Sequence, residues 1–236
     1  MNRINTPLDQ LLDGIKLLIF DIDGVLVDVR SSYRLAIKKT VEYYYQKEVY
    51  PDEIQELKNE SGFNNDWDLT EELLKRKNIS LLRETVIDTF QSYYWGSKGD
   101  GLIQSEAWLM DTDLIETLSR QYKLSIFTGR PRMEAEFVLK KNQVIQHFHP
   151  IVAMEDVSQG KPNPEGIISI CQSLNINPYH SVYFGDTFDD VRTAVTGNSI
   201  AIAVIPPGGN NDLIAQYLDL GAKTVLKSIN DIKSGV

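Results

Sequence analysis

With 236 residues, 42% of them apolar and 24% charged, the chain can bury a sizeable core and reads as one large domain, or one core with a smaller insert. A formal net charge of −9 argues against nucleic acid or an anionic membrane as partner, and any anionic substrate must meet local cations at its site. One cysteine excludes an internal disulfide, and three histidines without ligand spacing argue against zinc.

The first element expected is a short buried strand, Leu17 to Phe20, which runs into Asp21-Ile22-Asp23-Gly24. Ser31-Ser32 then opens a helix that continues through Val41 and Tyr44, with Tyr43 to Tyr45 read as packing. Pro51-Asp52-Glu53 begins a second helix, with proline in the first turn and acids favoured by the helix dipole. Leu69 to Arg76 and Leu81 to Tyr94 supply two more, by apolar residues at three- and four-residue steps. Gly96, Gly99 and Gly101 are expected to loosen the chain like a hinge before a short helix near Glu106 to Met110. Residues 30–103 are therefore taken as a helical insert.

From Asp111 onward helix and strand alternate. Helices are expected over Asp113–Gln121, Met133–Lys141, Pro164–Leu174, Asp190–Thr196 and Asn211–Leu218. Strands are expected over Lys123–Phe127, Ile151–Ala153, Ser181–Gly185, Ser199–Ile205 and Thr224–Leu226. This alternation predicts an α/β fold with a parallel sheet covered on both faces. Cys171 falls in an apolar run and reads as a buried, inert thiol, and His147, His149 and His180 read as loop residues. No apolar stretch approaches the ~20 residues that a membrane-spanning helix needs. Met1 to Pro7 lack the apolar core of a secretion signal, so a cytoplasmic protein is expected.

Four segments carry chemistry. Asp21 and Asp23 stand one residue apart at a strand end, where two buried carboxylates repel unless a hard cation lies between them, which points to magnesium. Ser125-Ile126-Phe127-Thr128-Gly129-Arg130 ends an apolar strand in a hydroxyl and a glycine. Gly160-Lys161-Pro162-Asn163-Pro164 sets one lysine in a rigid turn, and Val182-Tyr183-Phe184-Gly185-Asp186 ends in an acid with Asp189 and Asp190 close behind. In open parallel sheets the ligand crevice lies outside the carboxyl ends of the strands, so these endings can converge. Asp28 reads as a loop or cap residue, Asp189 as a solvent-facing neighbour of Asp190, and Arg130 either as a phosphate contact or as the partner of a surface acid.

In this order and spacing the four motifs resemble the haloacid dehalogenase superfamily, and within it the phosphoglycolate-phosphatase-like members with a helical cap inserted after the first motif. The resemblance implies a Rossmann-like core, residues 1–29 and 104–236, with a cap, residues 30–103. It implies Asp21 as nucleophile, Asp23 as general acid and base, and Thr128, Gly129 and Lys161 as phosphate-binding residues. It places Mg²⁺ on Asp21, Asp23, Asp186 and Asp190, and selection of the leaving group on the cap residues Asn64, Asn65 and Trp67. Packing by Trp67 and helix capping by the asparagines is the alternative there. The implied activity is hydrolysis of a small phosphorylated metabolite through an aspartyl phosphate. A phosphomutase of the β-phosphoglucomutase type is the alternative, and a non-catalytic binding protein a third reading.

Overall fold

The computed structural model describes residues 7–60 and 65–235. The chain divides into two compact units, residues 1–28 with 108–236, and residues 29–107. Among the described residues no helix is long and apolar enough to cross a membrane.

The first unit opens with α1 (Leu8–Leu12), β1 (Leu17–Phe20) and β2 (Val27–Asp28). The second unit holds α2 (Tyr33–Tyr45), α3 (Pro51–Asn59), α4 (Asp66–Arg76) and α5 (Arg83–Tyr94). The return passes through β3 (Ala107–Trp108), paired with β2. Then follow α6 (Thr112–Gln121), β4 (Lys123–Phe127), α7 (Arg132–Lys141), β5 (Phe148–Val152), α8 (Glu165–Leu174), β6 (Ser181–Gly185), α9 (Phe188–Thr196), β7 (Ile200–Val204), α10 (Ile214–Asp219) and β8 (Thr224–Leu226).

Six strands form one sheet in the order β5-β4-β1-β6-β7-β8, and every pairing is parallel. From β1 the chain builds outward through β4 and β5, then returns to the other side of β1 through β6. The order therefore reverses beside β1, the place where open α/β sheets bind ligands. β1 and β6 are buried at every residue, as a sheet covered on both faces requires. The two-residue side-chain period sorts β1. Leu17 and Ile19 join Phe127, Ile167, Ile170, Cys171, Tyr183 and Val191 in one core cluster. Phe20 stacks on Phe184 at 4.9 Å and meets Phe148 edge-on at 6.0 Å.

The structure departs from the sequence reading at informative places. The helix expected near Glu106–Met110 is replaced by β3, whose backbone finds ladder partners, and Leu109 N donates to the Leu26 carbonyl at 2.9 Å. β5 starts at Phe148, three residues earlier than expected, because Pro150 sits on an edge strand at a register shift against β4 and breaks no inner ladder. The glycine segment carries local hydrogen bonds. Asp100 Oδ1 accepts from Ser97 N at 2.9 Å and Lys98 N at 3.2 Å, and Gly101 N donates to the Trp95 carbonyl at 2.9 Å. A Cβ on Gly101 would lie 2.5 Å from the Tyr94 carbonyl oxygen, so this glycine serves close packing.

Within the helical unit, Tyr33 stacks on Tyr94 at 4.1 Å, and Glu106 Oε1 accepts from Ser32 Oγ at 2.7 Å and Tyr94 Oη at 3.1 Å. In the other unit, Phe20→Ala removes a fully buried ring from the centre of the sheet. Urea unfolding should show a loss of about 3–5 kcal/mol, with an unchanged m-value.

Candidate active site

The backbone delivers Asp21 first. Its N–H continues the ladder by donating to the Phe184 carbonyl at 2.9 Å, while the carboxyl group, on a residue 5% exposed, lies beyond the strand end. The chain then turns sharply, with Leu26 N and Val27 N both donating to the Ile22 carbonyl at 2.9 Å. Gly24, at φ +71°, makes the turn possible, and a Cβ there would sit 2.1 Å from Asp186 Oδ2. Only glycine lets the loop after β1 approach the acid at the end of β6 so closely.

Asp190 is fixed by its own helix. It occupies the third position of α9, where its Oδ2 accepts from Thr187 N at 2.9 Å and Thr187 Oγ1 at 2.6 Å, and Asp190 N donates back to Thr187 Oγ1 at 3.1 Å. This is a capping box built with aspartate. Its other oxygen, Oδ1, lies 3.0 Å from the Tyr183 hydroxyl and 2.7 Å from Lys161 Nζ. Burial alone would raise the Asp190 pKa, but Lys161 and the Thr187 bonds hold it below the usual carboxylate range.

Lys161 lies between two acids. Its ammonium is 2.7 Å from Asp190 Oδ1 and 3.0 Å from Asp21 Oδ1, with a side chain 5% exposed, and it faces the Phe127 and Tyr183 rings at 5.5 Å each. Burial opposes that charge, yet Asp190 and Asp21 raise its pKa above the ordinary lysine value. Asp21 is the less satisfied acid. Burial, then the neighbouring Asp190 and Asp23 charges, push its pKa up to about 7 against the pull of Lys161.

One carboxylate oxygen from each of Asp21, Asp186 and Asp190 lies within 4.8 Å of the others. The contact between Lys161 and Asp21 is an ion pair without hydrogen-bond alignment, so Asp21 Oδ1 is buried with no hydrogen-bond donor among the described residues. An all-oxygen donor set with an orphaned carboxylate oxygen, in which the one ammonium contacts two of the three acids, fits a hard divalent cation. Asp21, Asp186 and Asp190 are the residues that could hold it.

Of the expected ligands Asp23 stands apart. Its carboxylate lies outside this cluster, and its Oδ1 is taken by Arg130 Nε and Nη2, each at 2.5 Å. Thr128 is buried at the end of β4, and its Oγ1 accepts from Arg130 N at 3.2 Å, which leaves the hydroxyl proton for a ligand. Gly129, between them, is exposed. Asp189 is not solvent-facing: it is 4% exposed and pairs with Arg192 at 2.7 Å. His147 and His180 fall in short 3₁₀ turns and His149 in β5 rather than in loops.

The insert residues divide. Asn64 lies outside the described residues, as do Ser61 to Phe63. Asn65 Oδ1 caps α4 by accepting from Trp67 N at 2.8 Å and Asp68 N at 3.4 Å, the capping role that competed with leaving-group selection. Trp67 is half-buried in the first turn of that helix. Sequence reasoning missed Tyr183 and Thr187, which hold Asp190, and Tyr217, whose hydroxyl donates to the Asp186 carbonyl at 2.6 Å. A tyrosine inside the apolar run of β6 and a threonine three residues before Asp190 were the available signals.

A family model described as haloacid dehalogenase-like hydrolase matches residues 18–204. A Phytophthora nicotianae protein named imidazoleglycerol-phosphate dehydratase is 30% identical over 200 residues, which cover 82% of this chain and 44% of that protein. The chain thus spans less than half of that relative. The pyrophosphatase PpaX of Bacillus pumilus is 26% identical, covering 75% of this chain and 77% of its own. The phosphoglycolate phosphatase of Aquifex aeolicus is 24% identical, covering 80% and 84%. A solved structure from Haemophilus somnus, titled a predicted phosphoglycolate phosphatase, shares the fold. Its TM-score is 0.76 at 18% identity, over 93% of this chain and 97% of that one.

The charge balance makes a stability prediction. In chelator, Asp21→Asn neutralises one of three crowded acids while Lys161 keeps Asp190. The variant should melt higher than wild type, by about 2–4 °C per kcal/mol of relieved repulsion in a protein of this size. Magnesium should raise the wild-type melting temperature and raise that of the variant less. A variant melting below wild type in chelator would mean that attraction to Lys161 outweighs the repulsion.

Proposed function

The chain belongs to the haloacid dehalogenase-like hydrolases, and from that premise we propose that it hydrolyses phosphate monoesters of small metabolites through a phosphorylated Asp21. The observation that carries this reading is Asp21 itself. It is a buried acid at the switch point of the sheet, with one oxygen lacking a hydrogen-bond donor among the described residues and a lysine ammonium 3.0 Å away.

In the first step an Asp21 oxygen attacks phosphorus, the bond from phosphorus to the ester oxygen breaks, and Asp23 gives its proton to the departing alcohol. In the second, water attacks the phosphorus of the aspartyl phosphate, Asp23 takes a proton from that water, and Asp21 is released with inorganic phosphate. Lys161 and the Thr128 hydroxyl hold the phosphoryl oxygens, since phosphoryl transfer depends mainly on positioning and charge stabilisation. A magnesium ion held by Asp21, Asp186 and Asp190 would supply the further positive charge that this trianionic centre needs. The two catalytic acids differ in environment, as two roles require: Asp21 sits beside Lys161, and Asp23 beside Arg130.

The names of the relatives point to different substrates: a pyrophosphatase, a phosphoglycolate phosphatase, and a dehydratase whose name specifies an imidazole-bearing phosphate ester. A phosphate-release screen should therefore include phosphoglycolate, pyrophosphate, hexose 1-phosphates and the phosphate of an imidazole-bearing alcohol. Release is expected with magnesium and not after chelation. Conversion of a hexose 1-phosphate into its isomer, with no free phosphate, would point to a phosphomutase instead.

Two substitutions check the assignments. Asp21→Asn should fold and abolish turnover, because the amide is a poor nucleophile of nearly the same shape; residual turnover would remove Asp21 from that role. Asp23→Asn should lower kcat by about 10²–10⁴ for alkyl esters, the range for a positioned acid–base group. A loss below about tenfold would count against Asp23.

A further inference from the structure

Arg130 is the largest fully buried side chain among the described residues, at 1% exposure of the residue and none of its side chain. A guanidinium in such a place costs several kcal/mol unless it is paired, so its partner is informative. One partner is Asp23, 107 residues earlier in the chain. Nε and Nη2 both meet the same carboxylate oxygen, Oδ1, at 2.5 Å. No hydrogen bond engages Oδ2 among the described residues, and the Asp23 side chain keeps 24% of its surface open.

The two oxygens are therefore not equivalent. A guanidinium donates only and stays charged, so an oxygen that already accepts two of its N–H groups is a poor carrier for a proton. The base of the arginine is fixed as well, with its N–H on Thr128 Oγ1 at 3.2 Å and its carbonyl accepting from Met154 N at 2.9 Å. The loop that presents Thr128 thus also aims the guanidinium.

We propose that Arg130 is the positioning residue for Asp23: by holding Oδ1 it fixes the carboxyl orientation and reserves Oδ2 as the oxygen that passes the proton to the leaving group and takes it back from water. The proposal rests on the reading of Asp23 as acid and base.

The test compares kcat/KM for two esters: an alkyl phosphate that wild type turns over, whose alkoxide must be protonated to leave, and dinitrophenyl phosphate, whose leaving group needs no proton. Arg130→Lys keeps the buried charge but cannot make the fork, and circular dichroism with thermal melting checks that it folds; Arg130→Met is the more severe companion. In Arg130→Lys, alkyl-ester kcat/KM should fall by about 10- to 10³-fold, carried by kcat, while the dinitrophenyl ester changes by less than about threefold. Asp23→Asn should show the same split. The double variant Asp23→Asn with Arg130→Lys should be no worse than Asp23→Asn alone within about twofold, because both act at one step.

Equal losses on both esters, or a loss confined to KM, would mean that Arg130 serves substrate binding or the fold and would overturn the proposal. So would a lysine variant indistinguishable from wild type. If Asp23→Asn itself shows no split, the reading of Asp23 fails and takes the inference with it; a split in Asp23→Asn without one in Arg130→Lys overturns the inference alone.

Discussion

Three crowded acids at one end of a parallel sheet, two of them buried and one half-buried, repel one another, and most of the local structure answers to that constraint. Asp21, Asp186 and Asp190 present oxygens within 4.8 Å of each other. Taking such groups out of water costs several kcal/mol each unless opposite charge and hydrogen bonds replace the lost hydration. Asp190 is fully compensated by Thr187, Tyr183 and Lys161. Asp21 is not, and the difference between the two is the chemistry: a satisfied acid is a fixed support, whereas one with an orphaned oxygen has capacity for a cation or an electrophile. The sheet keeps the arrangement from relaxing, because β1 and β6 are buried on both faces and the loops at their ends approach through Gly24.

Two buried cations divide the site between them. Lys161 faces Asp21 and Asp190, while Arg130 faces Asp23. A point charge with three rotatable donors suits a position between two carboxylates, and a planar fork suits one carboxylate held in one orientation. Two acids one residue apart in the chain thereby stand in different electrostatic surroundings, one beside a lysine and the other beside an arginine.

The helical unit is organised by different means. An aromatic stack of Tyr33 and Tyr94 and the buried Glu106 bridge to Ser32 tie its first helix to the segment that ends it. In the glycine segment between α5 and β3, Asp100 accepts from two backbone N–H groups, and Gly101 allows a close backbone approach. The relatives carry names that point to different substrates, and a shared fold does not by itself fix a substrate.

Several features were legible from the sequence alone because they are local. Strands Leu17–Phe20, Lys123–Phe127, Ser181–Gly185 and Thr224–Leu226 follow from runs of apolar residues bounded by turn chemistry, and they match the structure residue for residue. The parallel sheet follows from the alternation of those runs with helical periods, and candidate acids and the lysine follow from polar residues at strand ends. Propensity failed where a partner distant in sequence decided the outcome. Glu106 to Met110 reads as helix, yet its backbone completes a ladder with β2; the strand expected from Ile151 starts at Phe148, because an edge strand tolerates Pro150. The same holds for charge: nothing near Arg130 or Asp189 in the chain says that both are buried. Which acid takes Lys161 and which takes Arg130 was settled only by folding, since strands separated by more than a hundred residues become neighbours and burial makes each unpaired charge too costly to leave alone.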